Sequence, residues 1–193
     1  MLAQLTRAER QSCIAIVVAV MILGAALTVL GLRDPLGAHG LLIVALSFGA
    51  LIYLLTRYDT TSLPAEDRSA AYYDDPTRVG IGLTMAWAVF GMFVGVWVAA
   101  QLAWPQLQFD ATWSSFGRLR PAHTTGVIFG FGGNALIATS FHVVQRTSRA
   151  RLAGNVLPWF VLFGYNLFCI LAVTGYFMGI TQSKEYAEPE WHA

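Results

Sequence analysis

Long apolar runs make up most of this chain, and such runs leave few ways to fold. Residues 13–32, 41–55, 81–103, 117–145 and 156–180 are built largely from Leu, Ile, Val, Ala, Gly and Phe. A helix needs about 20 predominantly apolar residues to cross the hydrocarbon core of a bilayer. In lipid the backbone must satisfy its own hydrogen bonds, which selects helices for such runs. Residues 41–55 are short for a span and reach across only if Gly37 or His39 and Tyr53 sit in the interfaces. The expectation is an all-α polytopic membrane protein with about five transmembrane helices. With 56% of its 193 residues hydrophobic and 12% charged, the chain is too apolar for an ordinary soluble domain. A net charge of +1 gives no reason to expect a nucleic-acid partner; the lipid bilayer is the expected surroundings.

Arg7 and Arg10 precede the first run, which is long for a cleaved signal and reads as a retained signal-anchor helix. Arg33, Asp34 and Pro35 end it. Residues 57–78 gather Asp59, Glu66, Asp67, Arg68, Asp74 and Asp75, with Pro64 and Pro76, and mark an aqueous connection. The chain then divides into a two-helix N-terminal membrane extension (1–58), an aqueous linker (59–79) and three further helices (80–193). Gly82, Gly91 and Gly95 predict close helix contacts in the third run, and Trp104-Pro105 an interface and a stop. Asn166 and Thr174 in the last run are expected to bond neighbouring helices. Cys13 and Cys169 belong to no CxxC or CxxCH pair and read as small buried hydrophobes. If five helices alternate, Arg7, Arg10, Arg57, Arg68, Arg78, Arg146, Arg149 and Arg151 share one side, and Arg33, Arg118, Arg120 and Lys184 the other. Basic residues concentrate in cytoplasmic loops, so the N-terminus is expected in the cytoplasm and the C-terminus in the periplasm.

Residues 117–145 read GRLRPAHTTGVIFGFGGNALIATSFHVVQ. Pro121 suits a first helical turn, and His123 then enters an apolar helix. An ionisable side chain within a span is by default a candidate functional residue. Gly126, Gly130 and Gly133 follow His123 by three, seven and ten residues, near its azimuth on an α-helix of about 100° per residue. Spacing alone leaves two readings open. The imidazole and the glycine strip suit a flat ligand held by metal coordination, and Gly126 and Gly130 equally suit small-xxx-small helix packing. His142 lies about 28 Å along the same helix at 1.5 Å per residue, too far to share a ligand with His123. It reads as interfacial, as do His39 and His192.

GRLRPAHT, VIFGFGGNALIATS and VVQRT, with VWVAAQLAWPQLQFD before them and GITQSKEYAEPEW after, resemble the catalytic subunit of cbb3-type cytochrome c oxidases, the C-type heme–copper oxidases. The resemblance covers about residues 80–193. It implies that His123 is an axial ligand of the low-spin heme b, that Arg120 lies beside the heme propionates, and that Gly126, Gly130 and Gly133 face the heme. It further implies a multi-pass protein of the bacterial inner membrane. Its partners would be the remaining helices of the catalytic subunit and membrane-anchored cytochrome c subunits. The complete enzyme would pass electrons from cytochrome c to oxygen and translocate protons. GRLRPAHT and SKEYAEPEW argue against the related nitric oxide reductase large subunit; a cofactor-free membrane assembly protein is the alternative from another class.

By the same resemblance a complete core needs six histidines, for low-spin heme, high-spin heme and copper. This chain has four, and only His123 sits in a matching motif. High-spin heme and copper are therefore expected only in the complete subunit, and the chain alone is expected to be inactive. A fragment, a truncated product or one half of a split subunit would each fit. The acidic run after the last helix holds Glu185, Glu188 and Glu190 within six residues. Read by itself it is a solvated loop. Grouped carboxylates also suit calcium, and the resemblance implies calcium near the propionates with Glu185 and Glu188 as candidate ligands. Glu190 has no assigned role.

Overall fold

The computed structural model describes residues 7–32, 35–56, 72–109 and 111–180. Among these, regular structure is entirely helical. Five helices are long and apolar enough to cross a membrane: α1 (Arg7–Leu30), α2 (Pro35–Thr56), α3 (Asp75–Ala103), α4 (Phe116–Ser148) and α5 (Leu157–Met178). The fold class is thus the all-helical, five-span one expected. The chain separates into two compact units, Met1–Tyr72 with Arg151–Trp159, and Tyr73–Ala150 with Phe160–Ala193.

In the first unit α1 and α2 form an antiparallel hairpin. Gly24 lies under Ile43, Gly31 under the backbone of Gly37, and Gly40 under Thr28. Between helices in lipid, small residues of this kind let backbones approach and gain van der Waals contact. One expectation changes here. The second helix is not short: it begins at Pro35, where a missing N–H is harmless, and runs for 22 residues. His39, read as interfacial, is in the second turn of α2, near the helix end, and is buried there at only 1% exposed. The close α1 contact at Gly37 and Gly40 puts this turn inside the hairpin.

The second unit packs α3, α4 and α5. Helix α3 starts at Asp75, earlier than residue 81, with Pro76 in its first turn, so the last residues assigned to the linker are helical. Helix α4 starts at Phe116, which puts Pro121 inside the helix rather than in its first turn. Ala122, Ala172, Val173 and Tyr176 form one buried cluster, and Val94, Val98 and Leu119 another. At mid-depth the Trp87 indole N–H donates to Asn166 Oδ1 (2.8 Å), and Asn166 Nδ2 donates to Asn134 Oδ1 (2.7 Å). One residue each from α3, α4 and α5 is thereby joined in the apolar interior. Asn166 bonds a neighbouring helix as expected, whereas Thr174 bonds back to Ile170 of its own helix.

One end of this unit is locked by polar contacts. The Tyr73 N–H donates to Gln145 Oε1 (2.7 Å) and Gln145 Nε2 donates to the Tyr73 carbonyl (3.1 Å). Arg146 grips Asp74 bidentately at 3.0 and 2.8 Å. These bonds tie the start of α3 to the end of α4. The Arg146 hydrogen bond, helped by the charges of Arg146, His142 and Arg78, holds the Asp74 carboxyl below its ordinary range. A carboxylate with a depressed folded pKa stabilises the fold above its unfolded value, about 3.9, and loses that contribution as pH falls through the folded one. The pair is about one-third exposed, and pairs of this kind contribute up to about 1 kcal/mol. Arg146→Ala is therefore expected to lower unfolding free energy by up to about 1 kcal/mol at pH 7, with the deficit shrinking as pH falls below the ordinary carboxylate value of about 3.9. Denaturation of both proteins in detergent across this range tests it; a deficit independent of pH contradicts it.

Candidate functional site

His123 sits in the second turn of α4 with its ring laid against α3. Its Nδ1 is 2.8 Å from the carbonyl oxygen of Gly91. The ring fits because α3 carries no side chain at Gly95: a Cβ there would stand 2.6 Å from Cε1 and 2.8 Å from Nδ1. Gly91 permits the same approach one turn earlier, where a Cβ would meet Val127 Cγ2 at 2.8 Å.

The chemistry follows from the acceptor. A carbonyl oxygen cannot donate, so the bond requires the proton on Nδ1, and the neutral ring then carries its lone pair on Nε2. Among the described residues Nε2 has no hydrogen-bond partner. An imidazole that donates one N–H to a carbonyl and keeps the other nitrogen open is oriented as a metal ligand. No group of three His, Cys, Asp or Glu side chains that could cage a bare ion occurs among the described residues. A single open imidazole suits a metal that arrives with other ligands already in place, as the iron of a heme does. The residues present fit an axial heme ligand.

The glycine strip is placed differently from the expectation. The Phe90 ring lies over Gly126, where a Cβ would be 3.1 Å from its edge; the Trp87 indole covers Gly130, and the Tyr165 hydroxyl covers Gly133. These three glycines seat rings of α3 and α5, which is the packing reading of the same spacing. The segment Gly126–Gly133 is π-helical, wider than an α-helix and turning less per residue. Gly126 and Gly130 keep to the side of His123, against α3, where Phe90 and Trp87 already fill the space, and Gly133 turns to α5. Two carbonyls of this segment take side-chain donors, Gly130 from Asn134 Nδ2 at 2.7 Å and Phe129 from Tyr165 Oη at 3.1 Å.

The two arginines before His123 do different work. Arg118 donates to the Phe177 carbonyl at 2.9 Å and covers Gly179. Helix α5 ends in a Schellman motif, with Gly179 N–H bonded to Tyr176 O (2.9 Å) and Ile180 N–H to Gly175 O (2.8 Å). Gly179 has φ 83°, a left-handed conformation that glycine adopts freely. Arg118 takes a carbonyl this motif leaves over and places a positive charge at the negative end of the helix. It thereby fixes the start of α4 to the end of α5. Arg120 is exposed, and its guanidinium makes no hydrogen bond or ion pair among the described residues.

Of the other sequence candidates, Glu185, Glu188, Glu190 and His192 lie outside the described residues. His142 is exposed near Asp74, at the far end of α4 from His123. The sequence reading saw Gly91 and Gly95 as contact positions and missed that they receive the histidine. Their four-residue spacing was the available signal, but it does not say which helix lies opposite.

Comparison with known proteins bears on this geometry. The family described as Cytochrome C and Quinol oxidase polypeptide I matches residues 75–193, a range holding His123, both glycines of its seat and the whole π-helical segment. The chain belongs to this family. It is 51% identical over 166 residues to a cytochrome c oxidase subunit 1 homolog, bacteroid, of Bradyrhizobium diazoefficiens, covering 84% of this chain and 30% of the relative. It is 60% identical over 125 residues to a cytochrome c oxidase subunit 1 homolog of Agrobacterium tumefaciens, covering 65% and 23%. It is 50% identical over 123 residues to the Cbb3-type cytochrome c oxidase subunit CcoN1 of Stutzerimonas stutzeri, covering 64% and 26%. The likeness is to the N-terminal part of such subunits, and the chain spans less than a third of the length of these relatives. The Bradyrhizobium match is longer than the family match and so takes in part of the N-terminal region as well. Membership and the five apolar helices together mark a multi-pass membrane protein of the oxidase polypeptide I family.

Proposed function

We propose that His123 is an axial ligand of the low-spin heme b of a cbb3-type cytochrome c oxidase, to whose catalytic subunit this chain contributes. The observation that carries the reading is the asymmetry of the ring, with Nδ1 bonded to Gly91 and Nε2 open among the described residues. When bound, the heme supplies a one-electron carrier. His123 supplies a neutral imidazole held in one tautomer and one orientation. Arg120, one turn before it and free of protein partners among the described residues, supplies a guanidinium suited to propionate carboxylates. Glu185 and Glu188 are proposed as calcium ligands near those propionates, because hard carboxylate oxygens suit that cation.

The remaining helices of the catalytic subunit would supply the second heme ligand, the high-spin heme and copper, and membrane-anchored cytochrome c subunits would deliver electrons. Reduction of oxygen to water with proton translocation belongs to that assembly and not to this chain by itself. The location proposed is the bacterial inner membrane, N-terminus cytoplasmic. The contacts Arg118–Phe177 and Asp74–Arg146 support alternate crossing by α3, α4 and α5.

In the assembled oxidase His123→Ala is expected to abolish the low-spin heme b absorbance while other subunits still assemble; an unchanged bis-imidazole spectrum would place the ligand elsewhere. In the same complex Arg120→Leu should lower that heme's midpoint potential, since loss of a nearby positive charge disfavours the reduced state. Glu185→Ala should lower bound calcium in metal analysis, and unchanged calcium returns the acidic run to a solvated loop. A reporter fused after Glu190 is expected to show periplasmic activity, and a cytoplasmic signal there would reverse the orientation.

A further inference from the structure

We propose that Gly95 is a positioning residue for His123: its missing side chain lets the imidazole reach the Gly91 carbonyl, and that bond sets how strongly Nε2 donates to iron. The inference rests on the ligand reading above and extends it to α3, a helix that provides no ligand of its own in that reading.

The geometry leaves little slack. A Cβ at Gly95 would stand 2.6 Å from Cε1, 2.8 Å from Nδ1 and 3.3 Å from Nε2 of His123. All three atoms belong to one rigid ring, so no flexible end can move aside. The ring must swing away from α3 as a body, and its Nδ1 then leaves the Gly91 oxygen, now 2.8 Å away. That oxygen lies inside α3, where the i→i+4 pattern assigns one lone pair to the Gly95 N–H; the second is available to the ring. One residue thus controls both the space for the imidazole and the helix turn that presents its acceptor.

The electronic consequence is directional. An imidazole whose N–H donates to a carbonyl is a more basic ligand at its other nitrogen. A more basic axial ligand favours the oxidised iron, so the bond to Gly91 holds the potential of the bound heme down. Breaking it raises the potential and loosens the metal, by about 10- to 100-fold in affinity for outer partners of this kind.

Gly95→Ala is the informative variant. Gly91→Ala would also push against the Val127 side chain and backbone and separate the helices, which confuses the reading. Gly82→Ala is the control, because, its own helix backbone aside, no atom of the described residues lies within 4 Å of the added carbon. In the assembled oxidase Gly95→Ala should raise the low-spin heme midpoint, alter its ferric low-spin electron paramagnetic resonance signal and weaken heme retention about 10- to 100-fold, with Gly82→Ala unchanged. Wild-type midpoint and resonance in Gly95→Ala would overturn the proposal. A second readout needs neither heme nor a folded variant. Nitrogen-15 magnetic resonance of the histidine-labelled wild-type 193-residue chain should show His123 protonated at Nδ1 and not at Nε2; the opposite tautomer also overturns it. If His123→Ala keeps a normal low-spin spectrum the ligand reading fails, whereas this nitrogen signal judges the positioning by itself.

Discussion

The second unit depends on the close approach of α3 and α4 at Gly91 and Gly95. Lipid tails are as apolar as leucine, so two helices gain little from hiding side chains from each other in a membrane; they gain from contact and from hydrogen bonds. Missing side chains at these two positions give both. Val127 and Gly126 come down on Gly91, and the His123 ring comes down on Gly95 with its N–H directed at a carbonyl. A polar ring that would be costly in hydrocarbon has one nitrogen satisfied, and the other has no hydrogen-bond partner among the described residues.

Several other polar contacts keep that approach in register. The Trp87–Asn166–Asn134 chain joins α3, α5 and α4 at mid-depth. Gln145 with Tyr73, and Arg146 with Asp74, fasten one end, and Arg118 with Phe177 fastens the other. Near that second end Trp97 donates to the Leu107 carbonyl and Gln101 to that of Ser114, holding the connection between α3 and α4 on the helices it joins. Individual bonds of this kind in membranes contribute about 0.6 kcal/mol on average. Their value here is geometric, because a one-turn slide of α3 in one direction would put the methyl of Ala99 where Gly95 leaves room for the imidazole.

How much of this was legible in the sequence depends on which residue is considered. The helices were legible because apolar length reports directly on crossing a bilayer. The start of α2 was not, because its first two turns hold Gly37, His39 and Gly40, which break an apolar run and yet are wanted where α2 meets α1. His123 stood out as an ionisable residue in a span. The glycines after it share its side as far as Gly130, but periodicity within α4 does not show that Phe90 and Trp87 of α3 occupy that side. Gly95 was visible as a close contact but not as the seat of the histidine, because periodicity within one helix does not name the residue facing it on another.

The central claim is that Nε2 of His123 faces iron while Nδ1 stays bonded to α3. The most direct measurement is a cryo-electron-microscopy map of the assembled oxidase containing this chain, at a resolution that orients imidazole rings. The predicted result is heme iron at Nε2 of His123, with Nδ1 at hydrogen-bond distance from the Gly91 oxygen. A low-spin heme whose two axial ligands are other residues, with His123 turned away from both iron and Gly91, would contradict it.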